Sequence, residues 1–320
     1  MLCRVADSLF WMSRYLERAE NQARFIEVTS NIALGYRGRE ETLWSSLLHA
    51  GGDVESFRER YTETTRENVI RYLLFDRQNM NSVISCLSYA RENARTIREN
   101  LTTPMWEAVN RFYLRVRQAA SQQASVLQHP HPFLEQIKRS AHQVIGVTDA
   151  TWSHGEAWHF STLGYQLERA DKTSRILDVK YFVLLPDTRG VGSATDVVQW
   201  SALLESTSAL HMYRKKYGRI VPSQVAEFLI LDPDFPRSML FCVKSICRSI
   251  EFVGRPSNDP ASGGLANDPN FAAAKSAASA AQELLRRLTE SRIGDIVRFG
   301  IHEFIDEFQR QLNGIGWCIH

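Results

Sequence analysis

Two nine-residue stretches, LERAENQAR from Leu16 to Arg24 and LERADKTSR from Leu167 to Arg175, carry nearly the same charges in the same order. Aligning Glu17 with Glu168 sets an offset of 151, which also superposes Leu16 on Leu167, Arg18 on Arg169, Ala19 on Ala170, Glu20 on Asp171 and Arg24 on Arg175. Downstream, WSSLL at Trp44 meets WSALL at Trp200 at an offset of 156. That register then holds through Val69/Val225, Tyr72/Phe228, Leu73/Leu229, Asp76/Asp232, Ser82/Ser238 and Cys86/Cys242. The five additional residues fall between Arg175 and Trp200, where LLPDTRGVGS (184–193) supplies the Pro and Gly of a longer turn.

The period exceeds the roughly 20 to 50 residues of solenoid repeats, so the pattern reads as duplication of a whole domain, 1–150 and 151–320. Two such halves are expected to pack about a pseudo-two-fold axis, burying equivalent faces against each other.

The fold class expected is all-α, an internally duplicated helical bundle. Leu9, Met12, Leu16, Ala19, Ala23 and Ile26 recur at three- and four-residue steps within 5–33, the period of a helix with one buried stripe. Similar spacing predicts helices over 69–74, 82–100, 105–127, 132–146 and 160–182, then 195–217, 221–231, 237–252, 271–291 and 293–312. Trp44 and Trp200 are expected as core anchors, and Asp76 and Asp232 as turn or cap residues. The stretch 254–270, GRPSNDPASGGLANDPN, is the one low-complexity loop.

Composition narrows the function classes. A 44% apolar and 23% charged chain has the balance of a soluble globular protein. The formal charge of +2 is too small to argue for a nucleic-acid partner. The densest basic patch, Arg214-Lys215-Lys216 with Arg219, reads as a solvated helix end. Five cysteines (Cys3, Cys86, Cys242, Cys247 and Cys318) form no CxxC pair and leave one over in any full disulfide scheme. Reduced thiols fit, and with no secretory pattern or membrane-length apolar run a cytoplasmic location is expected.

The nonapeptides are the candidate site. At about 100° per residue, Glu17, Glu20, Asn21 and Arg24 share roughly one third of the helix circumference, as do Glu168, Asp171, Lys172 and Arg175. Glu20/Arg24 and Asp171/Arg175 are acid-before-base pairs at i,i+4, sufficient to explain those four as helix-stabilising ladders. Glu17-Arg18 and Glu168-Arg169 remain. They suit either a semi-buried ion network between the halves or a reactive pair, with Glu as acid/base and Arg gripping a carboxylate or phosphate. Glu92 and Arg95 correspond to Arg248 and Glu251 with the charges exchanged, which reads as a structural pair in each copy.

A metal-binding bundle is the lesser alternative. ExxE at Glu17/Glu20, ExxD at Glu168/Asp171 and one ExxH at Glu156/His159 resemble the inward ligands of di-iron bundles. That site requires a second ExxH, and Arg18 and Arg169 would oppose a dication, so neither metal nor cofactor is expected. HExxH, Walker, GxSxG and dinucleotide signatures do not occur. Cys86 and Cys242 follow apolar spacing and read as core. His129 and His131 fall in a Pro-flanked turn with room for a surface metal. WSHGEAWHF (152–160) is read as junction packing, with a pocket bounded by Trp152, His154, Trp158 and His159 as the alternative.

MLCRVADSLFWMSRYLERAENQAR, ARENARTIRENL followed by WEAVN, and FSTLGYQLERADKTSRIL resemble the bacterial alpha-E domain family, all-helical proteins with a tandem Glu-Arg motif. Glu17-Arg18 and Glu168-Arg169 are the matching positions. The resemblance implies a setting beside circularly permuted ATP-grasp ligases, transglutaminase-like proteins and an Ntn-hydrolase peptidase, in peptide synthesis or modification. It supplies no reaction for this component. The function expected is therefore a non-catalytic helical partner or substrate-presenting component. An aminoacyl- or peptidyl-transferring enzyme using the Glu-Arg pairs is the alternative.

Overall fold

The computed structural model describes residues 1–34, 38–184, 194–255 and 269–319, and every regular element among them is helical. The apolar stripe from Leu9 to Ile26 lies on one continuous helix, α1 (Cys3–Ala33). It is followed by α2 (Glu40–Gly51), α3 (Val54–Arg58), α4 (Arg66–Leu74), α5 (Val83–Thr96), α6 (Thr103–Ser121), α7 (Gln123–Gln128) and α8 (His131–Thr151). The second nonapeptide lies on α9 (Glu156–Leu184). Then come α10 (Ala194–Ser206), α11 (Leu210–Tyr217), α12 (Pro222–Leu231), α13 (Met239–Val253), α14 (Pro269–Glu290), α15 (Ile293–Phe299) and α16 (Ile301–Ile319).

Local chemistry sets the helix starts. Thr65, Ser82, Thr102 and Ser238 each accept a hydrogen bond from a backbone N–H three residues on, satisfying a donor that the helix cannot. Asp76 and Asp232 are turn residues as expected, accepting from the backbone of Gln78 and of Asp234 and Phe235.

The 82–100 span ends as an α-helix at Thr96 and passes into a short 3-10 turn at Arg98–Asn100, and three other stretches expected as single helices are broken. The 105–127 span divides at Gln122. The 195–217 span ends at Ser206 and resumes at Leu210, with Ser208 at φ 57°. The 293–312 span divides at Gly300, whose φ of 110° only glycine adopts without strain. Apolar spacing runs through all three breaks because each pair of helices shares one core. The Glu40–Gly51 helix was not among the expected elements; Gly52, at φ 75°, follows its last turn. The turn at 184–193 and most of the 254–270 loop lie outside the described residues.

Helix α1 packs against α9 at the centre, and each has its own jacket. Helices α5, α8 and α10 pack on α1, while α13, α16 and α2 pack on α9. Thus α2 crosses over to the second central helix and α10 to the first. Trp44 and Trp200 are fully enclosed in the core that results.

The central crossing is close. A Cβ on Gly164 would lie 2.1 Å from the carbonyl oxygen of Phe10, and one turn away the Ser13 and Ser161 hydroxyls bond at 2.7 Å. Small side chains here let the two backbones approach until polar groups meet directly. Gly164→Ala is therefore expected to lower unfolding free energy by about 1–3 kcal/mol through overpacking. Gly146→Ala, on α8 with open space around the added methyl, is expected to raise it by about 0.4–1 kcal/mol. Urea unfolding of both variants checks the contrast.

Candidate functional site

The two Glu-Arg dipeptides clasp each other crosswise between α1 and α9. Arg18 donates to Glu168 through Nε at 2.7 Å and Nη2 at 3.0 Å. Arg169 donates to Glu17 through Nε at 3.0 Å and Nη2 at 3.1 Å. Both are two-pronged guanidinium–carboxylate pairs, the geometry in which Arg binds most directionally. Both glutamate side chains are 0% exposed. A semi-buried network, one of the two arrangements the sequence allows, is what forms.

Additional cations surround each carboxylate. Glu168 also receives Arg14 Nε at 2.9 Å and has Lys172 Nζ at 3.5 Å. Glu17 receives Arg237 at 3.1 Å and Asn21 at 2.8 Å. Arg237 is buried and reaches Glu20 as well, at 2.7 Å. No sequence motif marked Arg237. Its one legible signal was position: a charged residue directly before the Ser238 cap, aligned with Asn81, whose side chain accepts from Arg18 at 3.0 Å.

The i,i+4 pairs hold more than their own helices, contrary to the expectation that they are sufficiently explained as ladders. Arg24 and Glu20 are both fully buried. Arg24 extends across to the carbonyl of Ser206 and the hydroxyl of Ser208, where α10 ends. Arg175 bonds Asp171 and then the carbonyl of Ala50 at 2.9 Å, in the last turn of α2. A guanidinium at a helix C-terminus satisfies orphan carbonyls and opposes the negative end of the helix dipole.

This environment holds Glu168 and Glu20 in their charged forms. Burial alone pushes Glu168 upward, but Arg18, Lys172 and Arg14 outweigh it and hold the carboxyl well below its ordinary value. Burial likewise opposes Glu20, and Arg237, Arg24 and a hydrogen bond from His142 depress it. A depressed, solvent-shielded carboxylate is the opposite of the near-neutral pKa that suits a general acid or base. Cys86 and Cys242 are core residues as expected, and burial pushes each thiol up to about 12, far from a thiolate nucleophile.

Of the junction residues, Trp158 and His159 line a cavity of ≈ 480 Å³ bounded by α1, α8, α9 and α13. Trp152 and His154 do not line it. His154 stacks on Trp158 at 4.3 Å, and Trp152 packs half-buried on the core. His159 is fixed by stacking on Phe252 at 3.9 Å and by a 3.1 Å contact between Nδ1 and Ser249. The cavity walls are mostly apolar, with Met12, Leu16, Val144, Tyr165 and Phe241 among them, and Glu17, Glu20 and Arg169 close one side.

The inward-carboxylate metal reading does not hold, because guanidinium and ammonium groups occupy Glu17, Glu20, Glu168 and Asp171. Glu156 and His159 join no metal-sized cluster among the described residues. One such group exists, Glu27, His131 and Glu135. Lys138 already sits there, with Nζ 2.8 Å from both Glu27 oxygens and paired to Glu135. The exchanged pairs also differ from expectation. Glu92 bridges Arg95 at 3.0 Å, whereas Arg248 has no ion-pair partner among the described residues and lines the cavity.

Residues 1–320 match the model of Alpha-E, described as "a predicted alpha-helical domain with a conserved ER motif". The chain belongs to the Alpha-E family. Its two ER dipeptides in the nonapeptides are the crossed pairs just described. An uncharacterized protein of Mycobacterium bovis is 22% identical over 255 residues, and one of Mycobacterium tuberculosis (strain ATCC 25618 / H37Rv) is 21% identical over the same length. These matches cover 74% of this chain but only 28% of the relatives, which are much longer. No solved structure matches the chain. No helix of the described residues is long and apolar enough to cross a membrane.

The ER network implies two measurable behaviours. Arg237→Ala removes buried charge-assisted hydrogen bonds to Glu17 and Glu20, which keep Arg169 and Arg24 as their counter-charges, and is expected to cost about 1.5–3 kcal/mol in denaturant unfolding. Arg95→Ala removes an exposed pair and is expected to cost less than about 1 kcal/mol. The depressed Glu20 and Glu168 contribute stability that is fully present above their unfolded values of roughly 4.3 and is lost as pH falls through the lower folded values. Thermal unfolding should therefore lose midpoint steeply below about pH 4, with little contribution from these groups to any change between pH 5 and 8.

Proposed function

We propose that residues 1–150 and 151–320 are two copies of one helical unit related by a pseudo-two-fold, joined into a non-catalytic partner or substrate-presenting component of an ATP-grasp-linked peptide synthesis or modification system. Glu17 pairs with Arg169 and Arg18 with Glu168, the exchange of equivalent residues expected where like faces meet. The crossed placement of α2 and α10, and of the Arg24 and Arg175 contacts at their ends, follows the same rule.

The observation that carries the non-catalytic reading is the full sequestration of both motif carboxylates. Each is spent on a two-pronged ion pair with 0% side-chain exposure, leaving neither a proton acceptor nor a free guanidinium fork for a reaction intermediate. What the motif leaves open beside it is a mostly apolar cavity, suited to holding rather than transforming a ligand. The partner class, a circularly permuted ATP-grasp ligase acting with a transglutaminase-like protein and an Ntn-hydrolase peptidase, comes from the family setting. A cytoplasmic place of action accords with a chain of five unpaired thiols among its described residues.

Coexpression of the tagged chain with such a ligase is expected to yield a stoichiometric complex and to change ligase turnover. Absence of both association and any effect on turnover would overturn the reading. Glu17→Gln and Glu168→Gln are expected to weaken folding and complex formation together. A variant that folds normally yet abolishes a turnover belonging to this chain alone would instead establish an enzyme.

A further inference from the structure

Helices α6 and α8 pack on each other, and with α7 they wall a groove of ≈ 1010 Å³ that shares no residue with the cavity beside the ER pairs. Arg115 and Ala119 line it from α6, Val126 from α7, and Phe133 and Arg139 from α8. Arg115 gives an N–H to the hydroxyl of Ser140 at 3.0 Å, and Ser140 is itself buried. That bond holds the Arg115 guanidinium at the level of α8 from which Arg139, the preceding residue, also projects into the groove.

Both guanidiniums lack an acid. Arg115 has Ser140 as its hydrogen-bond partner and no ion pair, and Arg139 makes neither a hydrogen bond nor an ion pair among the described residues. Glu135, the one carboxylate in the lining, pairs with Lys138, and so does Glu27 behind it. Three cations therefore face two carboxylates here, and both carboxylates converge on the lysine, leaving two exposed arginine forks unfilled. The side-chain amides of Gln118, Gln122 and Gln136 border the same space and add neutral donors.

Two forks at one level select among anions. A carboxylate has two oxygens, which a single guanidinium occupies in its two-pronged geometry. A phosphate monoester has three terminal oxygens and a charge of about −1.5 to −2 at neutral pH, enough to engage both arginines at once. Ala119, Val126 and Phe133 give the groove an apolar side, and its volume exceeds what a bare phosphate needs.

We propose that the groove between α6 and α8 binds a phosphate monoester carried on an apolar body, with the phosphate bridging Arg115 and Arg139 and the body against Ala119, Val126 and Phe133. The site goes beyond the ligase-partner reading and does not depend on it. Ligand titration reads the groove with no partner present, whereas copurification reads the partner, so each can fail without the other.

Phenyl phosphate, benzoate and inorganic phosphate separate the possibilities. Isothermal titration of the full chain at low salt should show phenyl phosphate binding with Kd about 1 mM, as expected for a ligand of this size. Benzoate, with one charge and two oxygens, and inorganic phosphate, with no apolar body, should each bind at least about fivefold more weakly. Arg115→Gln and Arg139→Gln should each weaken phenyl phosphate by at least about fivefold. Arg298→Gln, which removes an exposed arginine of α15 outside the groove, should change it by less than about twofold. Arg139 makes no contact that the fold relies on, so its variant reads binding even if Arg115→Gln is destabilised. Equal affinity for benzoate and phenyl phosphate, an equal loss in Arg298→Gln, unchanged binding in a folded Arg139→Gln variant, or no saturable binding up to about 10 mM would overturn the proposal.

Discussion

The crossed Arg18–Glu168 and Arg169–Glu17 pairs are the constraint to which the rest of the molecule is fitted. A buried ion pair repays its desolvation only with good geometry and satisfied remaining lone pairs. Here that requirement extends outward in steps. Glutamates on α1 and α9 require arginines on the facing helix, which requires the helices to cross closely, which requires the Gly164 and Ser13/Ser161 contacts. Arg14 on α1, Lys172 on α9 and Arg237, just before α13, close around the same carboxylates. Hydrophobic burial supplies the bulk of the driving force, but it is tolerant of rotation and sliding. The ionic clasp is not, and it fixes the register of the two central helices.

Much of the fold was legible because helical periodicity is local. The stripe from Leu9 to Ile26 and the polar caps at Ser82 and Ser238 can be read within a few turns of chain. The breaks at Ser208 and Gly300 were not legible, since apolar spacing continued across both and only the tertiary packing decided where the backbone turned. The site was half legible. Like charges in the two nonapeptides single out Glu17-Arg18 and Glu168-Arg169, and a mutual ion network is one of the two arrangements the sequence allows. Arg237 was hard to read because it lies 220 positions from Glu17 and the residue aligned with it, Asn81, is uncharged, so only its place before the Ser238 cap marked it. Arg248 shows the opposite error: its spacing from Glu251 promised an ion pair, and the side chain faces the cavity region instead.

The family description gives the ER motif no role beyond its presence. In the geometry its carboxylates and guanidiniums pair with one another between α1 and α9. The cavity walled partly by Glu20 and Arg169 lies directly beside it, so the same helices that are locked together also shape the open space.

The reach of Arg24 to the end of α10 and of Arg175 to the end of α2 has a consequence for how the chain can be divided. Each central helix supplies the finishing cation for a helix whose sequence lies on the other side of residue 150. Cutting the chain there would leave two fragments, each with a bare helix terminus and a buried glutamate missing its fork. Neither fragment would be a smaller version of the whole; the two would have to find each other before either could complete its own core.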